Sequence, residues 1–197
     1  MEKNKISFEH LKIAEFVEQN SKVLDLGCGN GTLMEYLEKT KNVNVQGIEI
    51  SEDYIYECVE RGLCVLHTDF NKGLDAYNDG SFDFVILSQS LQQVKNIDTV
   101  LDEALRVGRK VIIGFPNFAH FSLRVDMLIN GRAPVTDCLP ENWNNTPNIR
   151  FLSIKDFENF CKSKKYKIIA KNFISNGKNI CCFPNLCAQQ AIFVITK

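Results

Sequence analysis

The sequence predicts an α/β fold: a doubly wound, mostly parallel seven-stranded sheet with an antiparallel C-terminal strand. Three observations carry this expectation. Short, near-continuous apolar runs alternate with amphipathic stretches, the pattern of strands covered by helices on both faces. A glycine-rich turn, Gly27-Cys28-Gly29-Asn30-Gly31, joins one such run directly to a helix. The last two apolar runs leave no room for a crossover helix, so they pair antiparallel. The length of 197 residues suits one domain over 1–197, and 45% apolar residues are enough for one core.

Each element has a local reason. Residues 6–19 read as a helix, with Phe8, Leu11, Ala14 and Val17 spaced for one face. Val23–Leu26 is a short buried strand that runs into the glycines, and Thr32–Lys39 is the helix beyond them, with Leu33 and Leu37 on one side. Val43–Ile50 is the second strand. Ser51 caps the following helix, with Glu52 and Asp53 in its positive first turn. Leu63–His67 and Phe82–Leu87 are further strands, the latter preceded by the turn Asn78-Asp79-Gly80. Ile97, Val100, Leu101, Ala104 and Leu105 mark another helix face, and Lys110–Phe115 a fifth strand.

After residue 116 the rhythm changes. Residues 118–130 read as an amphipathic helix bearing Phe118, Phe121, Val125 and Leu128. Residues 131–150 hold Pro134, Pro140 and Pro147 and no obvious element. A loop of that length is a lid, a partner surface or an ordered connector, so 116–150 reads as an inserted helix and loop segment. Ser153, with Asp156 three residues on, starts a helix to about Lys164. Tyr166–Phe173 and Ala191–Ile195 are the closing strands, with a turn at Ser175–Asn179.

Composition bounds the function. Lys and Arg total 23 against 24 Asp and Glu, a net charge of -1, which disfavours a nucleic-acid binder. The longest apolar runs, such as Val111–Phe115, fall far short of the about 18 residues of a membrane span. The opening Met-Glu-Lys-Asn-Lys lacks a secretory apolar stretch. A cytoplasmic protein with reduced thiols is therefore expected despite eight cysteines. Cys181, Cys182 and Cys187 have no convincing fourth ligand nearby, so no metal is expected.

The densest chemical signal is Asp25-Leu26-Gly27-Cys28-Gly29-Asn30-Gly31, between a strand and a helix. Its glycines allow a tight turn and bring backbone amides close to a ligand. The spacing is not G-x-G-x-x-G, and no G-K-[ST] follows, which excludes a triphosphate P-loop. Glu49 ends the second strand, where a carboxylate can accept two hydrogen bonds from a ribose diol. Asp69 lies beyond the third strand, at the same carboxyl edge.

This arrangement resembles the class I S-adenosylmethionine-dependent methyltransferases, a Rossmann-like fold. The resemblance implies that Asp25 orients the cofactor's amino-acid portion, with Gly27, Cys28, Gly29 and Gly31 forming the turn. It implies that Glu49, beside Ile50, holds the ribose hydroxyls, and that Asp69 contacts the adenine amino group with Phe70 beside the ring. Asp69 read by itself has the alternative of a helix cap or a solvated loop acid. Ser88 belongs to the same implied cofactor edge.

A closer resemblance lies further along. The runs Asp83–Gln92, Gly114–Phe118, Gly131–Thr136 and Asn145–Ile149, with Leu139-Pro140, resemble the methionine biosynthesis protein MetW family over roughly residues 10–196. That likeness implies S-adenosylmethionine as cofactor, S-adenosylhomocysteine as product, a small-molecule acceptor and association with homoserine O-acyltransferase. Two functions stay open: a methyltransferase, or a regulatory partner of the acyltransferase that senses S-adenosylmethionine.

Methyl transfer needs an acceptor held in line and, for some acceptors, a base. In this frame the acceptor pocket falls near Ser88, Gln89, Asn117 and His120. His120 is the histidine placed to act as a base, or else a partner-facing residue at a helix start. Arg124 and Asp126 either bind an amino-acid substrate or form the wet side of their helix. Trp143 closes a pocket, anchors a partner or packs on the parent domain.

Overall fold

The computed structural model describes residues 6–136 and 138–197, so Met1–Lys5, read above as lacking a signal stretch, and Asp137 lie outside it. Strands β1 (Lys22–Leu26), β2 (Asn44–Glu49), β3 (Val65–His67), β4 (Phe82–Ser88), β5 (Gly108–Pro116), β6 (Lys167–Ser175), β7 (Lys178–Asn179) and β8 (Gln190–Thr196) form one sheet. Its order is β3-β2-β1-β4-β5-β8-β6-β7. The first five strands are parallel, and β8 runs antiparallel to both of its neighbours, β5 and β6, so that β6 points the same way as β5. Chain direction thus reverses where no crossover helix fits. There are eight strands rather than seven: the extra one, β7, is a two-residue return of the hairpin at Asn176-Gly177.

Helices α1 (Phe8–Phe16), α2 (Thr32–Lys41) and α3 (Glu52–Glu60) cover one face, and α4 (Ile97–Val107) and α6 (Ile154–Lys164) the other. β4 shows how alternation serves both. Phe84 and Ile86 pack with Ile13, Met34 and Leu37, while Val85 and Leu87 pack with Leu101, Leu105 and Phe157. Each such fully buried side chain is worth about 1.5–3 kcal/mol relative to exposure.

Local signals account for the helix ends. The Ser153 hydroxyl accepts from the Asp156 amide and the Asp156 carboxylate accepts from the Ser153 amide, a complete capping box. Ser51 stands at the N-cap of α3 without a side-chain cap bond, and its own amide donates to Glu49. The region 118–130 becomes α5 (Phe121–Asn130), begun by His120. Beyond it, residues 131–150 carry an isolated bridge between Thr136 and Leu139 and no helix or strand among the described residues. A four-residue α7 (Pro184–Cys187), not anticipated, leads into β8. No helix among the described residues is long and apolar enough to cross a membrane.

Candidate functional site

A cavity of about 630 Å³ opens along the carboxyl ends of β3, β2, β1 and β4. Ligands of open α/β sheets bind at such an edge. Asp25, Gly27, Cys28, Gly29, Glu49, Ile50, Asp69, Phe70, Ser88 and Gln89 all line it. So do residues that carried no signal in the sequence, among them His10, Tyr54, Ser90, Gln93 and Lys95.

The turn is built from backbone. The Gly27 and Cys28 amides donate to the Ile48 carbonyl at 2.8 and 3.1 Å, and Gly27, Gly29 and Gly31 adopt φ of 77°, 54° and 74°. Glu49 is 8% exposed, and its carboxylate binds the turn to β2. Oε2 accepts from the Gly29 amide at 2.8 Å, and Oε1 accepts from the Ile50 and Ser51 amides at 2.8 and 2.9 Å. A carboxylate has about four acceptor sites. Three are taken, which leaves room for one ligand hydroxyl on Oε2 rather than the two hydrogen bonds expected from spacing.

Asp25 is 2% exposed, and its Oδ1 is buried without a hydrogen-bond partner. Burial, then the charge of Glu49, pushes its pKa up to about 7. A buried acceptor left unpaired costs about 1–3 kcal/mol, and a ligand donor in the cavity would remove that cost. The site thus fits a ligand carrying an ammonium group. Asp69 caps the short 3-10 helix Phe70–Lys72, its Oδ1 accepting from the Asn71 amide and side chain at 2.9 and 2.8 Å. It is therefore a cap that also lines the cavity. The hydrogen bond with Cys58, then burial, holds the Cys28 thiol above the usual range.

Three expected residues are placed elsewhere. Gly31 does not line the cavity; it starts α2, and a Cβ there would come 2.4 Å from Leu63 Cδ1 and 2.9 Å from Cys58 Sγ. Its bareness serves packing as well as its left-handed backbone. Asn117 is 1% exposed and ties the end of β5 to its neighbours. Its Nδ2 donates to the Asn185 and Ala188 carbonyls at 3.1 and 2.8 Å, and its Oδ1 accepts from the Ala119 and Ile154 amides at 3.2 and 3.4 Å. His120 caps α5, with Nδ1 2.7 Å from Ser122 Oγ, and its pKa is lowered by burial. Asn117 and His120 share a small separate depression with Pro116 and Leu139. Only Ser88 and Gln89 of the four expected acceptor residues meet at the cavity.

Gln89 stands out in compensation. It holds φ of 55°, rare for a residue with a bulky side chain, and its Nε2 donates to Glu9 Oε2 at 2.7 Å. Glu9 is 4% exposed and also meets Ser88 Oγ at 3.4 Å and Gln190 Nε2 at 3.3 Å. Burial pushes its pKa up to about 7. Among the described residues no cluster of three or more His, Cys, Asp or Glu is arranged to hold a metal ion.

Comparison with known proteins agrees with this architecture. The structure is similar to a SAM-dependent methyltransferase from Archaeoglobus fulgidus, with a TM-score of 0.70, 15% identity and 100% and 97% of the two chains covered. It is also similar to one from Thermotoga maritima, with a TM-score of 0.66, 18% identity and 95% and 87% covered. Likeness at that identity establishes the fold alone: class I methyltransferase-like. In sequence, the chain is 39% identical over 160 residues to the bifunctional methionine biosynthesis protein MetXA/MetW of Rhodopirellula baltica. That match covers 77% of this chain and 26% of the relative, so the chain spans about a quarter of the curated relative's length. The family described as Methionine biosynthesis protein MetW matches residues 8–195. With a glycine turn, an acidic strand end and a carboxyl-edge cavity in one frame, the chain belongs to the MetW family of methionine biosynthesis.

Proposed function

We propose that the cavity binds S-adenosylmethionine and that the protein transfers its methyl group to a small-molecule acceptor. The carrying observation is the buried, unpartnered Asp25 Oδ1 in a cavity whose floor is the glycine turn. Asp25 would hold the amino-acid end, Glu49 Oε2 a ribose hydroxyl, and Asp69 with Phe70 the base. When bound, the cofactor supplies an electrophilic methyl group on a sulfonium sulfur. The protein's part is orientation and exclusion of water, effects that account for much of such a rate. On this reading the protein works in the cytoplasm with its thiols reduced.

Calorimetry with S-adenosylhomocysteine tests the binding. Glu49→Ala should weaken it by about 1.5–3 kcal/mol, the scale of hydrogen bonds to a charged group. Equal affinity in wild type and variant would remove Glu49 from the site.

A second reading has its own support. The relative of Rhodopirellula baltica joins MetXA and MetW in one chain. Here the outer side of α5 exposes Leu128 at 85% and Ile129 at 73%, with Trp143 at 79% nearby in the sequence. Exposed apolar patches of this kind mark interaction surfaces. On this reading segment 116–150 docks homoserine O-acyltransferase and the cavity reports cofactor level. Turnover of labelled S-adenosylmethionine against small-molecule extracts, with and without purified acyltransferase, separates the two. A methylated product favours the enzyme; mutual stabilisation without turnover favours the partner. Trp143→Ala should weaken association or turnover while leaving cofactor affinity unchanged.

A further inference from the structure

Unpartnered polar atoms gather in one half of the cavity. Asp25 Oδ1, Ser90 Oγ and His10 Nδ1 are each buried without a hydrogen-bond partner, and all three residues line the same space. They come from the end of β1, the residues after β4, and α1. Glu49, Asp69 and Phe70 stand on the β2 and β3 side. The backbone of His10 is fixed at the start of α1. Its amide donates to the Ser7 hydroxyl at 3.0 Å, which caps α1. Its neighbour Glu9 fastens the first turn of α1 to Ser88 and Gln89 at the end of β4. Burial lowers the His10 pKa to about 4, so the ring is neutral at physiological pH and carries one N–H donor and one acceptor.

We infer that His10 is a ligand-binding residue that hydrogen-bonds the α-amino-carboxylate end of the cofactor. The inference rests on the cofactor reading proposed above. If Glu49 marks the ribose, the rest of the ligand reaches toward β1 and β4, where the unpaired atoms lie. A zwitterion suits that half of the cavity. Asp25 and Glu49 attract the ammonium and repel the carboxylate, which leaves the neutral donors His10 and Ser90 to receive the carboxylate. Leaving three buried polar groups unpaired is costly, and one amino-acid group can satisfy them together. The arrangement also gives α1 a part in the site, which no motif of the glycine turn requires.

Two ligands separate this contact from a structural role. S-adenosylhomocysteine carries the amino-acid end, and 5′-methylthioadenosine has the same nucleoside without it. Calorimetry on wild type, His10→Phe and His10→Asn reads both. His10→Phe keeps a planar ring and removes the polar atoms, and it should weaken S-adenosylhomocysteine about tenfold, the value of one hydrogen bond. Its affinity for 5′-methylthioadenosine should stay within about twofold. His10→Asn, whose amide reaches the place of Nδ1, should recover most of the loss. Unchanged affinity of His10→Phe for S-adenosylhomocysteine overturns the contact, as does an equal loss for both ligands. Wild type that binds neither ligand overturns the cofactor reading itself, and the contact with it. Wild type that binds while His10→Phe matches it overturns the contact alone.

Discussion

The Glu9 carboxylate, buried in the first turn of α1, accepts a 2.7 Å hydrogen bond from the side chain of Gln89 at the end of β4. It also lies over Gly114, where a Cβ would come 2.2 Å from its Oε1. One buried acid therefore joins α1, β4, β5 and β8 behind the cavity, and Gly114 is bare to make room for it. Glu9→Ala should cost about 1–3 kcal/mol by leaving the Gln89 amide unpaired. Chemical denaturation measures this, and a loss below about 0.5 kcal/mol would show that the clamp contributes little.

Glu9 also predicts a pH dependence. Its folded pKa of about 7 lies above its ordinary 4.5. An acid raised on folding stabilises the protein fully below its unfolded value, and the contribution is lost as pH rises through the folded one. Asp25, raised from 3.8 to about 7, acts in the same direction. Stability should therefore fall between about pH 4.5 and 7 relative to a Glu9→Gln variant, whose slope is shallower. Denaturation midpoints of the two proteins across that range decide it.

Asp25 carries a linked prediction for binding. An ammonium group needs the ionised carboxylate, whereas the empty site favours the protonated form. Affinity for S-adenosylhomocysteine should rise as pH passes upward through about 7, with a proton released on binding. Calorimetry in buffers of different ionisation enthalpy counts that proton. Asp25→Asn should bind more weakly and release none; the same proton count in both proteins would contradict the assignment.

Two glycines of one turn should respond differently. Gly29 has open space around the place of a Cβ and lines the cavity. Gly29→Ala should cost about 1–2 kcal/mol of backbone strain and weaken ligand binding. Gly31→Ala carries the same strain and also strikes Leu63 and Cys58, adding about 1–3 kcal/mol of overpacking. Thermal unfolding should rank Gly31→Ala well below Gly29→Ala, and the opposite order would refute the packing role.

Asn117→Asp should be more damaging than its size suggests. A carboxylate cannot donate to the Asn185 and Ala188 carbonyls, so it loses two hydrogen bonds and buries a charge. A loss of about 2–4 kcal/mol in denaturant is expected, with cofactor affinity at low temperature preserved in the folded fraction. Retained stability with lost affinity would return Asn117 to the ligand.

The sequence made the parallel core legible because its signals are local. The β1 strand, the glycine turn and α2 follow one another, and Ser153 and Asp156 cap α6 from within one turn. The residues that shape the cavity from outside were not legible. Glu9 and Gln89 meet across 80 positions, and nothing near Glu9 announces that meeting. Gly31 looked like a ligand glycine because its collision with Leu63 belongs to a different element. His120 looked like a base because its bond to Ser122 is a cap that depends on where α5 begins. The strand β7 and helix α7 escaped because two and four residues carry no measurable period.

The outer borders of the sheet have a consequence for solubility. β3 offers three residues at one border; at the other β7 covers only Ile174 and Ser175, so the rest of β6, with Lys167 and Lys171 exposed, forms the edge. Charged side chains along an edge strand oppose the pairing of an intruding chain. The most apolar strands, β4, β5 and β8, lie in the interior, where every ladder is already taken. The protein thus keeps its sticky segments away from the borders at which cross-β assembly would begin.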